Sequence, residues 1–285
     1  MLHAIDTKTG RPRWVFEAPD QIHSTPALTG NLLLFGCDDG KLYALEAKTG
    51  AKAWSFTASG EIWSSPVIRN NVAYFGSADG RFYSVNAETG KPGWIQNLNS
   101  RIYGTAYAAE KNLYIGSGDG KVSNLDLADG KILWSAQTGN GIDASPAFAN
   151  GLILVGSEDF YFYALDAATG EVRWKFETGL GISSSAAVLN GLVVFGGKDT
   201  QMYALDVLTG KLRWKTQTGS VVTAPPVIGD SVAFVQAAGG IMALDNATGR
   251  HVWRAGLGSS VQSSPVLTDE AIYVASLDGD VYALE

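Results

Sequence analysis

The sequence is short of the residues on which most catalytic and metal-binding proteins depend. It has one cysteine, Cys37, in 285 residues, and three histidines, His3, His23 and His251. A single cysteine excludes an intrachain disulfide. The histidines stand far apart, and no set of His, Cys, Asp and Glu has metal-ligand spacing, so no metal site and no catalytic residue are expected. Charge is also sparse. Charged residues make up 17%, with 21 Lys and Arg against 28 Asp and Glu, for a formal net charge of −7. An acidic chain with no basic run gains nothing from counterion release, which argues against a nucleic-acid partner. No apolar run approaches the roughly eighteen residues of a membrane helix, so no membrane span is expected. No nucleophile elbow, P-loop or dinucleotide motif is present. Gly116-Ser117-Gly118-Asp119-Gly120 looks suited to phosphate but recurs as a hairpin turn. No secretory leader is visible, because Met1 runs directly into the repeat sequence Leu2-His3-Ala4-Ile5-Asp6. The expected location is cytoplasmic if the chain is complete, and periplasmic or otherwise extracytoplasmic if it is a mature fragment.

Apolar residues, at 46%, and glycine, at 34 residues, are plentiful. They fall in a repeat. Tryptophan recurs at Trp14, Trp54, Trp94, Trp134, Trp174, Trp214 and Trp253, and a glycine precedes each by four residues. One unit, from Glu61 to Trp94, shows how the copies fold. Val67-Ile68 opens a short strand behind Pro66, where a missing N–H is tolerated. Asn70-Asn71 turns the chain into Val72-Ala73-Tyr74-Phe75. Asp79-Gly80 is a hairpin signal leading to Arg81–Val85. Thr89-Gly90 turns again, and the strand of Trp94 follows. Four short antiparallel strands per copy predict a propeller blade, in which each sheet covers its neighbour. The seven repeated tryptophans then read as packing between blades, not as a cofactor box. The eighth, Trp63, lies outside that pattern. The expected fold is all-β: one domain over 1–285, a seven-bladed β-propeller of four-stranded antiparallel blades.

The segment Ala44-Leu45-Glu46-Ala47-Lys48-Thr49-Gly50-Ala51-Lys52-Ala53-Trp54 resembles the tryptophan-docking motif of the pyrroloquinoline-quinone repeat propeller family. Ala164–Trp174 and Ala204–Trp214 match equally well. Weaker copies carry Ser84 or Asn124 in place of the first alanine, or Asp129 in place of threonine. The resemblance covers essentially the whole chain and implies the fold. The family includes quinoprotein alcohol and glucose dehydrogenases, whose cofactor is pyrroloquinoline quinone with calcium. It also includes cofactor-free scaffolds, such as the lipoprotein propeller of the outer-membrane barrel-assembly machine, and sensor domains of bacterial kinases. The dehydrogenases use a carboxylate base, and many carry a ring of two bonded cysteines, which one cysteine cannot form. Their sites are built from long insertions, whereas the connections here run to a few residues. A non-catalytic scaffold is therefore the expectation, with a quinone-dependent dehydrogenase or a degenerate relative as the alternative.

In a repeat protein the fold-forming positions stay alike, so a binding site shows where the copies differ. Three residues before the Pro66-type position stand His23, Trp63, Tyr103, Asp143, Ser183, Thr223 and Gln262. A second variable column holds Gln21, Glu61, Arg101, Gly141, Gly181, Val221 and Ser260. Both columns enter the innermost strands and are expected to ring one mouth of the central channel. His23, Glu61, Trp63, Arg101, Tyr103, Asp143 and Gln262 are the candidates for contact with a protein partner or a small polar ligand. Phe160 and Lys198 depart from the repeat in the second-to-third strand turns and are candidate partner contacts. Phe160 can equally pack on Tyr161 or Tyr163.

Innermost-strand openings occur seven times but third-strand sequences eight times, at Leu2–Asp6 and again at Val281–Glu285. Seven blades close if the last takes three strands from Pro265–Glu285 and its fourth from Trp14–Glu17. Residues 2–6 are then surplus. The rival is a fragment of an eight-bladed ring. A monomer is expected.

Overall fold

The computed structural model describes residues 1–259, 261 and 263–284. The chain is an all-β, seven-bladed β-propeller, with no helix among the described residues. Among the described residues there is no helix long and apolar enough to cross a membrane. The chain divides into two compact units, 1–135 and 136–285.

The first unit opens with β1 (Leu2–Ile5) and β2 (Pro12–Phe16), paired as a two-stranded sheet. The first blade follows: β3 (Ala27–Thr29), β4 (Leu32–Gly36), β5 (Lys41–Glu46) and β6 (Lys52–Thr57). The second blade is β7 (Val67–Arg69), β8 (Val72–Gly76), β9 (Arg81–Asn86) and β10 (Pro92–Asn97). The third is β11 (Tyr107–Ala108), β12 (Asn112–Gly116), β13 (Lys121–Asp126) and β14 (Ile132–Gln137), whose last two residues lie past the unit boundary. The second unit holds β15 (Ala147–Ala149), β16 (Leu152–Gly156), β17 (Tyr161–Asp166) and β18 (Val172–Glu177). Next come β19 (Ala187–Leu189), β20 (Leu192–Gly196), β21 (Gln201–Asp206) and β22 (Leu212–Gln217), then β23 (Val227–Ile228), β24 (Val232–Ala237), β25 (Gly240–Asp245) and β26 (His251–Gly256). The seventh blade is β27 (Val266–Leu267), β28 (Ile272–Ala275) and β29 (Val281–Leu284), a three-stranded sheet. Each sheet follows chain order, so every connection is local.

The strand of Trp14 pairs with β1, Leu2↔Phe16 and Ala4↔Trp14, in the register of Ala44↔Trp54. Residues 2–6, left over in the count of blades, are thus a regular third-strand partner. A contiguous hairpin joins these strands with little loop-closure entropy.

The tryptophans fill the gaps between blades. In the first unit Trp14, Trp54 and Trp94 lie on Gly50, Gly90 and Gly130; in the second, Trp174 and Trp214 lie on Gly210 and Gly249. A side chain at any of these glycines would occupy the indole's place. Four indole N–H groups donate to the carbonyls of Ala47, Leu127, Val207 and Asn246 at 3.0, 3.2, 2.9 and 2.8 Å. Trp134 and Trp253 meet aromatic neighbours in their own sheets, Tyr114 and Phe234. The cores lie between facing sheets. Leu34, Leu42 and Ala44 pack against Ala73, Phe75 and Val85, for example, and Leu154 and Phe162 against Phe195 and Leu205.

Candidate functional site

The variable column is held by its invariant neighbours. Before His23, Trp63 and Tyr103 stand Ile22, Ile62 and Ile102. Ile62 and Ile102 are fully buried, against glycines that end second strands. A Cβ on Gly36 would come 2.3 Å from Cγ2 of Ile62, and one on Gly76 would come 2.2 Å from Cγ2 of Ile102. After His23 and Trp63 come buried serines. Ser24 Oγ donates to the Gly36 carbonyl at 2.9 Å and accepts from the Gly36 N–H at 2.7 Å, and Ser64 does the same with Gly76. Trp63 is thus fixed from both sides by Ile62 and Ser64, and its own identity is not set by the repeat. The approaches are also tied to one another. Thr25 N–H donates to Ser65 Oγ at 2.8 Å, and Ser65 N–H to Thr105 Oγ1 at 3.1 Å.

On this frame three rings from consecutive approaches form a ladder. His23 lies 4.5 Å from Trp63, and Trp63 stacks on Tyr103 with centroids 4.5 Å apart and planes at 21°. The Arg101 guanidinium lies over the Tyr103 ring, 5.2 Å from its centroid. Its stem crosses Gly118, where a Cβ would come 2.7 Å from Arg101 Cγ. A side chain at Gly118 would displace it. At the other end His23 Nε2 lies 3.3 Å from Asp38 Oδ2. Burial pushes the Asp38 carboxyl above its ordinary range; His23 pulls it down, and Glu61 and Asp20 push it further up. Trp63 Nε1 and Asp38 Oδ1 are both buried with no hydrogen-bond partner. A buried donor or acceptor left without a partner costs about 1–3 kcal/mol.

Of the sequence candidates, the structure brings His23, Trp63, Arg101 and Tyr103 together, with Glu61 exposed and close enough for its charge to reach Asp38. Asp38 was not among them. Its signal was available: the copies read Asp38, Ala78, Gly118, Glu158 and Lys198 at that turn position. In the second unit Asp143 is half-buried between Ile142 and Ala144. Lys198 donates to Glu158 Oε1 at 2.7 Å, and Glu158 lies across Gly181. Phe160 is 45% exposed at a φ of 76°. Tyr161 and Tyr163 contact each other, and Tyr161 also receives the Lys175 ammonium at 4.2 Å. Gln262 lies outside the described residues.

At the Asp39 position of the second-to-third strand turns the carboxylates are structural. Asp39, Asp79, Asp159 and Asp199 accept from the hydroxyls of Tyr43, Tyr83, Tyr163 and Tyr203 at 2.5–2.7 Å. Asp79, Asp159 and Asp199 also accept from backbone N–H groups of Ser59, Gly139 and Gly179. Among the described residues no three His, Cys, Asp or Glu side chains are placed to share a metal ion.

A family model described as outer membrane protein assembly factor BamB matches residues 1–103 and 94–285. The chain belongs to the BamB family. BamB from Moraxella catarrhalis superposes with a TM-score of 0.85 at 21% identity, over 96% of this chain and 88% of that one. The computationally designed Ika8 protein gives 0.85 at 21% identity, over 97% and 87%. The quinohemoprotein alcohol dehydrogenase ADHIIG from Pseudomonas putida HK5 gives 0.77 at 16% identity, over 95% of this chain and 66% of the enzyme. No curated protein matches. At such identities the structural likenesses establish the fold; the BamB assignment rests on the family match.

Proposed function

We propose that this BamB-family chain is a non-catalytic binding scaffold that docks a protein partner on the His23–Trp63–Tyr103 ladder. The ladder itself carries the reading. Three aromatic rings from three separate blade approaches meet at a column where the repeat imposes no residue. Aromatic and arginine side chains with fixed geometry bind at little entropic cost, and such residues dominate binding energy at protein interfaces. Arg101 and Glu61 supply charges of both signs at the rim. Membership of a family described by an assembly factor agrees with a partner that is a protein.

The test is affinity capture from a cell-envelope extract, comparing the native chain with a Trp63→Ala, Arg101→Ala double variant. A partner retained by the first and lost by the second, with the melting temperature changed by only a few degrees, supports the reading. Equal capture by both sinks it. Titration with pyrroloquinoline quinone and calcium is the companion measurement. On this reading it yields no new absorbance band and no dye reduction with alcohols or sugars.

A further inference from the structure

We propose that Asn140 is a self-modifying site, at which the backbone nitrogen of Gly141 converts the asparagine to aspartate and isoaspartate. The site lies in the second unit and is independent of the ladder.

The two residues fix the chemistry. The Gly141 amide loses its proton to hydroxide, and its nitrogen attacks Asn140 Cγ. A C–N bond forms, the bond from Cγ to Nδ2 breaks, and the side-chain nitrogen leaves as ammonia with a proton from water. The succinimide ring then adds water at either carbonyl and opens to aspartate or isoaspartate. Glycine favours the closure because it has no side chain to crowd the ring.

The chain has three Asn-Gly pairs, Asn140-Gly141, Asn150-Gly151 and Asn190-Gly191. All three asparagines are exposed, so access to water does not separate them. The backbone does. Asn150 and Asn190, at φ of 50° and 51°, sit in hairpin loops closed by the pairs Ala149↔Leu152 and Leu189↔Leu192. The carbonyls of Gly151 and Gly191 are held as well, by the N–H groups of Ala167 and Val207 at 2.9 Å. Ring closure there has to turn a peptide out of a clamped loop.

Asn140 lies outside any strand, between β14 and β15. Its peptide with Gly141 is held in the reactive arrangement. The Gly141 N–H donates to Asn140 Oδ1 at 2.8 Å, which sets the nucleophile beside the carbon it attacks. The Asn140 carbonyl accepts from the Thr138 hydroxyl at 2.8 Å and from the Ser157 hydroxyl at 3.1 Å. That oxygen takes up negative charge when the Gly141 nitrogen loses its proton. Thr138 and Ser157 are both buried, and donors fixed on the oxygen favour the anion, as in an oxyanion hole. At the matching position the other approaches carry Asp20, Gly60, Ser100, Leu180 and Ser220, so the amide–glycine pair belongs to this one. The product is a carboxylate three residues before Asp143. Isoaspartate also lengthens the backbone where the Glu158 N–H binds the Gly141 carbonyl at 3.0 Å.

The test is peptide mapping by mass spectrometry on the full chain held at mildly alkaline pH, with ammonia release followed in parallel. In the native chain the amide-to-acid mass gain is expected at Asn140 about tenfold or more faster than at Asn150 or Asn190. In denaturant, where the hydrogen bonds are lost, the three rates are expected to converge. Thr138→Val removes one donor and is expected to slow Asn140 about fivefold in the native chain, with no effect in denaturant. Ser157→Ala gives the same reading if Thr138→Val fails to fold. Equal rates at the three sites in the native chain, or a native order that persists in denaturant, overturns the proposal. So does a native Asn140 rate unchanged by loss of either hydroxyl.

Discussion

Gly130 supports Trp94: a Cβ built on Gly130 would stand 2.4 Å from Cε3 of the indole, at a backbone φ of 73°. Two separate penalties therefore attach to any substitution there. Gly10 has a similar φ of 67° but meets nothing within 4 Å. Gly10→Ala is expected to cost only the left-handed backbone term, about 1 kcal/mol. Gly130→Ala adds displacement of a packed ring, for a total of about 2–4 kcal/mol. Denaturant titration of the two variants side by side measures the difference. Equal losses would show that the indole yields freely.

The acid limb of stability should depend on the exposed Asp–Thr–Arg turns. Asp206 accepts from Thr209 and from Arg213, which reaches it at 2.6 Å from a bulge opposite Ala204–Leu205. The Arg213 guanidinium, with Thr209, brings the Asp206 carboxyl down to about 2. Asp6 is brought to about 2 by Arg13 and Thr9. A carboxyl depressed in the folded chain contributes stability above its ordinary value of 3.8, and loses it as pH falls toward about 2. Asp206→Asn should flatten the stability profile between these limits. The pairs are exposed, so added salt should shrink the effect. An acid limb unchanged in Asp206→Asn would remove this account.

At the alkaline end the sign is opposite. Burial, reinforced by the hydrogen bond to Asp199, raises the Tyr203 hydroxyl well above its ordinary value of 10.0. Tyr43 and Tyr163 are raised in the same way, beside Asp39 and Asp159. A group whose proton is held more tightly when folded stabilises below the unfolded value and loses that contribution as pH rises through and beyond it. The chain should therefore unfold above pH 10 with uptake of hydroxide by these tyrosines. Tyr203→Phe should lower stability at neutral pH by about 1 kcal/mol, by removing one hydrogen bond, and make the alkaline limb shallower. Absorbance near 295 nm, a wavelength on the order of the tyrosinate band, follows the titration directly. Tyrosines that ionise before the fold is lost would contradict the prediction.

The fold was legible because one hairpin is written seven times. Glycine at positive φ, four residues before tryptophan, satisfies both a turn and an indole, and no other residue does both. The variable column was legible for the opposite reason. Ile62 and Ser64 are fold-forming, while the repeat does not set the identity of Trp63 between them. Asp38 stands at a turn position that varies between copies, but only the reach of His23 shows that it belongs to the ladder. The pairing of Trp14 with β1 was also not legible, since Leu2–Asp6 and Val281–Glu285 carry equivalent third-strand patterns. Sequence pattern ranks the two equally, and chain contiguity decides.

Phe160 supplies the last prediction. Its φ of 76° falls where Gly40, Gly80 and Gly120 have 78°, 82° and 82° in the other turns. An L-residue with a bulky side chain pays about 1–2 kcal/mol there, and glycine does not. The exposed ring recovers little of this by burial. Leu180, also exposed, stands close by: the Thr178 hydroxyl lies 2.8 and 2.7 Å from the carbonyls of Phe160 and Leu180. Phe160→Gly should therefore stabilise the chain by about 0.5–1 kcal/mol, a gain net of glycine's greater entropy when unfolded. In a chain of this length that is a rise in melting temperature of about 1–3 °C. Strain kept at an exposed apolar residue is expected where the residue serves a contact. The same variant should then lose a partner in affinity capture while its melting temperature rises. A fall in melting temperature would show instead that Phe160 packs on its own blade, and the strain argument would fail with it.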